Sequence, residues 1–472
     1  MADTVFDVAV LGAGVGGYVA AIRATQLGLS VAIIEKDSTL GGTCLNRGCI
    51  PAKAWLESAD LLYHIKHAAD FGVKVSEPSL DFAAMQERRQ RVVDQLVGGV
   101  SALMKANKIT VFSGKGVIAS PTQIKVSGDK GESVVDAKNI IVATGSTPKT
   151  LPGLDLDGKQ VISSDHIWDL TAPPKSVIVL GAGAVGVEFA SFFNDVGSEV
   201  TVVEFLPSLV PNEDKDVCTE LERQFKARGI RCLTGAKLLP ETLKKTTTGV
   251  TVEVEQKDGR QTVSAELLLV AVGRGAIVEG IGLENTKAQV ERGVIKVDEH
   301  FRTAEPNVYA VGDAIGGIML AHVAEAEGDH AAEHIAGHHP SVLDYNRVPK
   351  TTYTRPQIGS LGLSEQQAKD AGHTIKTGRF SYAINGRAII HGETRGFAKV
   401  VAEATTGEIL GVHIIGHNAS ELVAEAAMAR YLEGTITDIG TSVHAHPTLT
   451  EILMEAALDA DRRSIHFFRP RA

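Results

Sequence analysis

The hydrophobic positions of the chain fall into short β-branched runs that alternate with longer apolar stretches of helical spacing. A strand, a helix and a strand follow one another twice, and in each repeat a glutamate follows the second strand. The first repeat comprises Phe6–Leu11, Tyr18–Leu27 and Ser30–Ile34, followed by Glu35, and the second comprises Ser176–Leu180, Glu188–Asp195 and Glu199–Val203, followed by Glu204. This order is typical of a βαβ unit, in which a helix joins two parallel strands. We therefore predict an α/β protein with two doubly wound, Rossmann-like domains.

The rest of the pattern predicts further elements around these two units. Long apolar-periodic stretches predict helices at Ala54–Ala69, Phe82–Asn107 and Met319–Ala336. Additional strands are predicted at Ile109–Phe112, Leu267–Arg274, Val308–Ala314, Ile358–Leu363, Gly396–Ala402 and Ile409–Ile415. From about Arg347 strands alternate with a polar helix and no glycine fingerprint occurs, which predicts a separate C-terminal α+β domain.

A glycine-rich turn stands between the first strand and the helix of each repeat. In the first repeat Gly12 allows a sharp turn, Gly14 lets the backbone approach a pyrophosphate, and Gly17 lets the helix pack closely on the strand. The helix N-terminus then receives the phosphate charge. The acid after the second strand is placed to accept hydrogen bonds from a ribose. The equivalent residues of the second repeat are Gly181, Gly183, Gly186 and Glu204, so the sequence predicts two bound dinucleotides.

Glu204 indicates which nicotinamide nucleotide the second repeat binds. A carboxylate at this position binds a ribose 2′-hydroxyl and repels a 2′-phosphate. The residues that follow, Phe205 to Ser208, contain no arginine that would hold such a phosphate. We therefore predict NAD and not NADP.

Residues Gly41 to Lys53 read G-G-T-C-L-N-R-G-C-I-P-A-K and contain two of the four cysteines of the chain. In a regular helix, Cα atoms five positions apart are about 8.6 Å from each other, whereas a disulfide needs about 4.4–6.8 Å. A disulfide between Cys44 and Cys49 therefore predicts an irregular backbone up to Pro51, which a glycine and a proline in this stretch favour. Two unrelated buried thiols are the alternative.

Composition and charge narrow the class of protein. A chain of 472 residues suggests about three or four domains. The net charge of −10, with no basic block, argues against nucleic acid as a partner, and no apolar run approaches about 18 residues, which argues against a membrane span. Met1 to Thr4 show no basic segment of a signal peptide. Because four cysteines in so long a chain suit a reducing compartment, we predict a cytoplasmic protein.

Two histidine motifs could carry chemistry. His330 and His334 stand one helical turn apart, but no third ligand follows in a recognisable metal spacing; we therefore predict an exposed polar face and no metal. Nearer the C-terminus, His446 precedes a proline and Glu451 begins the predicted last helix. A carboxylate that binds an imidazole fixes its tautomer and raises its basicity, so this pair is a candidate acid–base dyad. A surface histidine beside a helix-N-terminal glutamate is the alternative.

Together these motifs resemble those of the flavoprotein pyridine nucleotide-disulfide reductases, over nearly the whole chain and in the family's order. The resemblance is greatest to the members that oxidise dihydrolipoyl groups. It implies a catalytic set consisting of a redox disulfide, an ion pair beside the flavin, and an acid–base dyad that enters the active site from the other subunit. These are, in the same order, Cys44 with Cys49, Lys53 with Glu188, and His446 with Glu451.

The resemblance also implies the cofactor contacts, with one non-covalent FAD per subunit and NAD as co-substrate. The expected FAD contacts are Gly12, Gly14, Gly17, Glu35, Lys36, Gly42, Thr43, Cys44, Lys53, Gly116, Ala143, Thr144, Gly145, Gly312, Asp313, Met319, Leu320, Ala321 and His322. The expected NAD contacts are Gly181, Gly183, Ala184, Val185, Gly186, Glu204, Leu238 and Gly273. The implied domains are an FAD-binding domain (1–150), an NAD-binding domain (151–275), a central domain that completes the FAD site (276–346) and an interface domain for dimerisation (347–472).

The implied activity is oxidation of protein-bound dihydrolipoamide to lipoamide with reduction of NAD⁺ to NADH, by a homodimer. The implied partners are the lipoyl domains of the E2 component of 2-oxoacid dehydrogenase complexes, or the H protein of glycine cleavage. Arg47 and Ala52 stand where family members commonly carry a small apolar residue and a serine. These two departures leave the expected chemistry intact, but we expect them to alter the entrance to the flavin or substrate site. The alternatives are a diaphorase that reduces a quinone or dye, and a flavin-free binding component that kept the fold.

Overall fold

The computed structural model describes residues 5–129 and 131–468. The first four residues, on which the prediction of no signal peptide rests, lie outside the described residues. The chain forms two compact units: unit 1 takes in Met1–Trp55, Ala83–Lys149 and Gly273–Leu343, and unit 2 takes in Leu56–Phe82, Thr150–Val272 and Asp344–Ala472. None of the described helices has the length and apolar character needed to cross a membrane.

The elements are numbered in chain order. The helices are α1 (Val15–Gln26), α2 (Gly42–Asn46), α3 (Cys49–Lys66), α4 (Phe82–Ala106), α5 (Ala184–Asp195), α6 (Lys215–Ala227), α7 (Ala321–Ile335), α8 (Glu365–Asp370), α9 (Gly386–His391), α10 (Ala419–Tyr431), α11 (Ile436–Thr441) and α12 (Glu451–Ala460). The strands are β1 (Val5–Leu11), β2 (Val31–Glu35), β3 (Thr110–Ser113), β4 (Lys115–Ser120), β5 (Gln123–Gly128), β6 (Gly131–Val142), β7 (Ser146–Pro148), β8 (Val161–Ser163), β9 (Ser176–Leu180), β10 (Glu199–Val203), β11 (Arg231–Leu233), β12 (Lys237–Thr246), β13 (Gly249–Gln256), β14 (Gly259–Ala265), β15 (Leu267–Val270), β16 (Arg274–Ala276), β17 (Val290–Glu291), β18 (Val294–Ile295), β19 (Val308–Ala310), β20 (Pro349–Thr352), β21 (Gln357–Gly362), β22 (Ile375–Ser381), β23 (Phe397–Glu403) and β24 (Ile409–Gly416).

Unit 1 is built on a seven-stranded sheet in the order β3-β2-β1-β6-β5-β4, with β19 also paired to β6. Strands β3, β2, β1, β6 and β19 are parallel, and β5 and β4 continue the sheet antiparallel. Alternate residues of β1 belong to two separate apolar clusters, Val8 and Val10 to one and Ala9 and Leu11 to the other. Because both faces are covered, the central strands are almost continuously apolar.

Helices α1 and α7 pack together on one face of this sheet through small residues. A side chain at Gly328 would overlap the carbonyl oxygen of Gly16. Ala20 and Ala331 are fully buried in the same cluster. The two helices therefore approach to backbone contact.

The parallel strands of unit 1 end together at one edge. Leu11, the last residue of β1, lies opposite Ile34 of β2 and Val142 of β6, and Val142 lies opposite Ala310 of β19. Loops that follow these strands therefore meet at the carboxyl edge, where ligands of such sheets bind.

Unit 2 contains a second parallel sheet, in the order β11-β10-β9-β15-β8. Between β11 and β15 the chain forms an antiparallel sheet of β12, β13 and β14. In the parallel sheet Leu180, Val203 and Val270 are paired at the strand ends. The antiparallel sheet was not among the predicted elements. Its outer strand β12 carries Pro240 and a run of polar residues, so its apolar alternation is short.

The C-terminal part of unit 2 is an antiparallel sheet in the order β20-β21-β24-β23-β22. Residues of β23 and β24 share one apolar cluster with residues of α10, α11 and α12. Together with the two parallel sheets, this α+β portion confirms the predicted fold class.

A buried cation in β23 is bound by three carboxylates of neighbouring elements. Lys399, whose side chain is 5% exposed, has its Nζ 3.0 Å from Asp214, the N-cap of α6, 2.8 Å from Asp216 and 2.8 Å from Glu365 at the start of α8. This ion group, which we call the Lys399 network, joins the α6 region to the C-terminal sheet.

Candidate active site

The turn after β1 has the geometry that the first glycine fingerprint predicts. Gly12 has a φ of +106°, and a Cβ on it would overlap the carbonyl oxygen of Ala143. A Cβ on Gly17 would overlap the carbonyl oxygen of Gly12. Both positions therefore require glycine for the turn and for the close approach of α1 to the sheet.

The N-terminus of α1 is open to an anion. Its N-cap is Gly14, and among the described residues no side chain caps it and no acid stands in its first turn. A Cβ on Gly42 would lie 2.6 Å from the Cα of Gly14, so a second glycine keeps the backbone bare here. Uncapped amides at the positive end of a helix dipole bind phosphate. This cradle fits the pyrophosphate of FAD.

Glu35 ends β2 and is buried. Its carboxylate accepts hydrogen bonds from the amide of Ala13 at 2.7 Å and from the amide of Asp37 at 2.9 Å. A carboxylate has about four acceptor sites, so two remain for the hydroxyls of a ribose.

The other expected FAD contacts lie in unit 1. Three groups lie in loops or turns: Ala143, Thr144 and Gly145 follow β6, Gly312 and Asp313 form a 3₁₀ turn after β19, and Lys36 is exposed after β2. The others lie in or next to helices. Helix α2 begins with Gly42, Thr43 and Cys44; α3 contains Lys53; and α7 begins with Ala321 and His322, preceded by Met319 and Leu320. Gly116 lies in β4, where a Cβ would lie 2.5 Å from Leu11 and 2.9 Å from Ile34, so packing alone requires glycine there. Contact of these residues with FAD stays a prediction.

Asp313 is held by two residues that the sequence analysis missed. Its carboxylate accepts a hydrogen bond from the Ser146 hydroxyl, and Ser146 accepts one from Nε of Arg274 at 2.7 Å. Arg274 also donates to the carbonyl of Ser146 at 2.8 Å. The three residues come from distant parts of the sequence, so no local motif could have joined them.

The second fingerprint repeats the same construction in unit 2. Gly181 has a φ of +98°, and a Cβ on Gly186 would overlap the carbonyl oxygen of Gly181. Gly183 caps α5 without a side-chain bond or an acid in the first turn. Glu204 accepts the amides of Ala182 at 2.6 Å and Leu206 at 2.7 Å. The site therefore fits a second dinucleotide.

The remaining expected NAD contacts occupy different environments. Ala184 and Val185 are exposed in the first turn of α5, whereas Leu238 is buried in β12 within an apolar cluster. Gly273 belongs to unit 1, where its carbonyl accepts the amide of Lys149 at 2.9 Å. Their contact with NAD stays a prediction.

The backbone between the two cysteines is broken, but over fewer residues than expected. Helix α2 ends at Asn46, and α3 begins at Cys49, so only Arg47 and Gly48 lie outside a helix. Pro51 is the third residue of α3. It fits there because the first four amides of a helix have no intrahelical partner.

Cys44 and Cys49 are free thiols in the structure, not the predicted disulfide. Their side chains are in hydrogen-bond contact, and this contact and burial raise the pKa of Cys44, while Lys53 acts in the opposite direction. Cys49 stands at the first residue of α3, where the helix dipole stabilises a thiolate. The two thiols in contact fit the predicted redox centre.

The two departures from the family pattern lie in this stretch. Arg47 binds Asp37 with 2.6 Å between Nη2 and Oδ2, and Asp37 in turn donates its amide to Glu35. Ala52 is buried in α3. Arg47 therefore ties the helix break to the loop after β2.

Unit 2 contains the predicted histidine–glutamate pair. Nδ1 of His446 lies 2.9 Å from Oε1 of Glu451, and the other oxygen of Glu451 accepts the Thr448 amide at 2.8 Å. Glu451 begins α12, as expected. Burial acts to raise the pKa of Glu451, but the Thr448 amide, His446 and His444 lower it overall. The carboxylate thus stays ionised and fixes a proton on Nδ1.

Lys53 and Glu188 belong to different units. Lys53 lies one turn after Cys49 in α3, and Glu188 is buried in α5, where it accepts the amide of Tyr353 at 2.9 Å. The ion pair between them stays a prediction.

The predicted exposed face with His330 and His334 is wrong. His330 is 3% exposed; its Nε2 lies 2.9 Å from Nδ1 of His300. The His300 ring stacks on His334 at 4.6 Å between centroids, and His334 contacts the Tyr309 hydroxyl at 3.1 Å. A distant loop supplies His300, and it covers the helix face. Within the described residues, no group of three or more His, Cys, Asp or Glu side chains is arranged to hold a metal ion.

Comparison with known proteins identifies the family of the chain. A family model described as pyridine nucleotide-disulphide oxidoreductase matches residues 6–328, and the model of that family's dimerisation domain matches residues 348–457. A protein of Bacillus subtilis named dihydrolipoyl dehydrogenase is 46% identical over 98% of this chain and 100% of its own length. The mitochondrial protein of Pisum sativum with the same name is 40% identical over 98% of this chain and 92% of its own.

A solved structure has the same fold. The crystal structure of LpdA from Mycobacterium tuberculosis superposes with a TM-score of 0.88, at 28% identity, over 95% of this chain and 98% of that one.

Proposed function

Because this chain belongs to the pyridine nucleotide-disulphide oxidoreductase family, we infer that it oxidises protein-bound dihydrolipoamide to lipoamide and reduces NAD⁺ to NADH, with FAD as cofactor. The observation that carries this activity is the pair Cys44 and Cys49, in thiol contact at the N-terminus of α3. The residues below are proposed to perform the reaction.

His446 is the proposed base. Because Glu451 binds Nδ1, that nitrogen carries the proton and Nε2 keeps the lone pair. Nε2 takes a proton from one thiol of the dihydrolipoyl group, and Glu451 stabilises the imidazolium that forms. The histidine side chain is 78% exposed in the single chain, which leaves Nε2 accessible.

The cysteine pair accepts two electrons from the substrate. The substrate thiolate attacks Sγ of Cys44 in the oxidised pair, the Cys44–Cys49 bond breaks, and Cys49 leaves as a thiolate beside the positive end of α3. The second substrate thiol then attacks the substrate sulfur of the mixed disulfide, which closes the lipoyl ring and releases Cys44. The proton of that thiol passes to Cys44, and the cysteine pair has then taken up two electrons in total.

The FAD site consists of the glycine turn with the α1 N-terminus, Glu35, and the loops after β6 and β19. FAD bound there would supply a two-electron acceptor between the thiol pair and NAD⁺. Thr144, Asp313 and Lys53 are proposed to contact it, and Glu188 to pair with Lys53. Gly181, Gly186 and Glu204 are proposed to hold NAD. The division into domains at residues 1–150, 151–275, 276–346 and 347–472 is proposed on the same grounds.

The chain forms a homodimer through its dimerisation domain. We propose that His446 and Glu451 of one subunit act on the thiol pair of the other. We also propose that the substrate is carried by the lipoyl domain of a 2-oxoacid dehydrogenase E2 component or by the glycine-cleavage H protein, and that the enzyme works in the cytoplasm, where a disulfide that persists is usually catalytic.

An anaerobic assay tests the activity. Dihydrolipoamide added to the yellow holoenzyme should produce a long-wavelength thiolate–flavin absorption band, and NAD⁺ should then produce NADH. Cys44→Ser should abolish dihydrolipoamide turnover and spare FAD content and much of the NADH–dye activity, because the dye needs no thiol pair. The control is Cys232→Ser, which replaces a different, partly buried cysteine. It should retain dihydrolipoamide turnover, FAD content and NADH–dye activity. Faster turnover with a quinone than with dihydrolipoamide would favour a diaphorase instead.

A further inference from the structure

A second histidine–glutamate pair stands two residues before the proposed base. Nε2 of His444 lies 2.8 Å from Oε1 of Glu425 in α10, and its Nδ1 lies 2.9 Å from the carbonyl oxygen of Ser442. The His444 side chain is 7% exposed, in contrast to His446. In the sequence its partner Glu425 stands 19 residues before it, so no local spacing indicates the pair.

The two contacts of His444 determine its ionisation. A carbonyl oxygen and a carboxylate oxygen both accept hydrogen bonds, so each ring nitrogen has to donate one. Only the imidazolium has a proton on both nitrogens. His444 therefore carries a positive charge in this arrangement.

His444 anchors the segment that carries the proposed base. Residues 442–450 join α11 to α12, and the bond to Glu425 attaches this segment to α10. The charge of His444 also acts on Glu451, since it is among the groups that hold the pKa of Glu451 low. His444 thus acts on both members of the dyad: it holds the backbone that carries His446, and its charge interacts with the Glu451 carboxylate.

We propose that His444 is a positioning residue of the reaction: as an imidazolium held by Glu425 and the Ser442 carbonyl, it fixes the backbone that presents His446 and stabilises the Glu451 carboxylate. It contacts no substrate and transfers no proton. This inference rests on the proposed function, because it assigns His444 a part in dihydrolipoyl oxidation.

The test compares His444→Gln with the wild-type holoenzyme in dihydrolipoamide–NAD turnover. A glutamine can donate to one of the two acceptors but carries no charge. We expect kcat to fall about ten-fold, the loss that about 1.4 kcal/mol of transition-state stabilisation produces. KM, FAD absorption and NADH–dye activity should stay within about two-fold, because neither dinucleotide site is touched. Glu425→Gln removes the same anchor from the other side and should give the same split between kcat and KM.

Two further variants distinguish a positioning role of His444 from a general effect on the stability of the protein. His466 forms a similar pair with Glu455, 2.6 Å between Nδ1 and Oε1, in the same C-terminal portion of the chain, and His466→Gln should leave kcat unchanged. In a His446→Gln background, His444→Gln should cause no further loss, because the base it positions is already gone.

Three results would overturn the inference: an unchanged kcat in both His444→Gln and Glu425→Gln, an equal fall in NADH–dye activity, or a further fall in the His446→Gln background. If wild-type enzyme does not oxidise dihydrolipoamide, the proposed function fails and takes this role of His444 with it. If wild-type enzyme is active and both variants equal it, only the role of His444 fails.

Discussion

Replacing Lys399 by methionine should destabilise the protein strongly, because it removes the cation of the Lys399 network and leaves its most buried anion in place. Asp214 is 2% exposed as a side chain. Methionine has nearly the length of lysine and fills the space, so loss of packing is small and the electrostatic change dominates.

The magnitude follows from the exposure of the three carboxylates. At an effective dielectric constant of about 20, unit charges separated by the 3.0 Å between Nζ and Asp214 interact by about 5–6 kcal/mol. Asp216 and Glu365 are 43% and 32% exposed, so solvent screens them and each adds less than about 1 kcal/mol. Removal of one partner of a buried pair costs about 3–5 kcal/mol. We therefore expect Lys399→Met to lower the free energy of unfolding by about 3–5 kcal/mol.

Thermal unfolding followed by circular dichroism measures the effect, with flavin absorption recorded in parallel. The matched control is Lys376→Met in β22: Lys376 lies 2.7 Å from Asp461, and both side chains are about a quarter exposed, so we expect a loss below about 1 kcal/mol. If Lys399→Met destabilises no more than Lys376→Met, the reasoning from burial is refuted.

The pH dependence gives a second check. Burial acts to raise the pKa of Asp214, but His413, the Glu365 amide and Lys399 lower it overall from its usual 3.8. A lowered carboxyl pKa contributes stability that is present above the unfolded pKa and is lost as the pH falls through the folded value. The pKa of Lys399 is raised from 10.5 despite burial, by its three carboxylates, so its contribution is present below that pH. The difference between wild type and Lys399→Met should be largest between about pH 7 and 10 and should shrink as the pH falls, because the buried and unpaired Asp214 of the variant takes up a proton more readily than the paired Asp214 of wild type.

Three further predictions concern the sites and the histidine cluster. Gly186→Ala should raise the KM for NAD about ten-fold or more without loss of FAD, because the new Cβ overlaps the carbonyl oxygen of Gly181 and moves α5 away from its strand; equal FAD loss would contradict the assignment. Glu451→Gln should lower kcat about 100-fold with an unchanged flavin spectrum, because the amide cannot stabilise the charged His446; normal turnover would rule out the dyad. Burial, His300 and His334 lower the pKa of His330 from 6.5, so the neutral ring stabilises the fold above about pH 6.5 and less as the pH falls. His330→Leu should therefore flatten the dependence of the melting temperature on pH between about 7.5 and 5.5, and an unchanged slope would show that His330 does not titrate.

The parallel strands and their glycine turns could be predicted from sequence because they depend on local periodicity and local backbone constraints. The strands at Ser176–Leu180 and Glu199–Val203 have the predicted bounds. The pair His446 and Glu451 could also be predicted, because a helix that starts at the acid brings it back to the ring.

What could not be predicted depends on contacts between residues distant in sequence. The faces of His330 and His334 are covered by a loop that contains His300, and no periodicity within α7 reports that loop. Asp313 is likewise fixed by Ser146. The helix break between the cysteines is shorter than predicted, because Pro51 lies in the first turn of a new helix that starts two residues before it and therefore disrupts no helix.

Glu35 and Glu204 each accept a hydrogen bond from the amide next to the first glycine of their fingerprint, and each is also proposed to bind a ribose. The carboxylate proposed to select the nucleotide thus also fixes the loop proposed to receive the pyrophosphate. These hydrogen bonds hold both turns without a bound ligand, which lowers the free-energy cost of ordering the turns on binding. Engineering of the second site towards a 2′-phosphate by removing Glu204 would leave the Ala182 amide buried without an acceptor. A change of coenzyme preference therefore needs two substitutions, one that attracts the 2′-phosphate and one that supplies a new acceptor for the Ala182 amide.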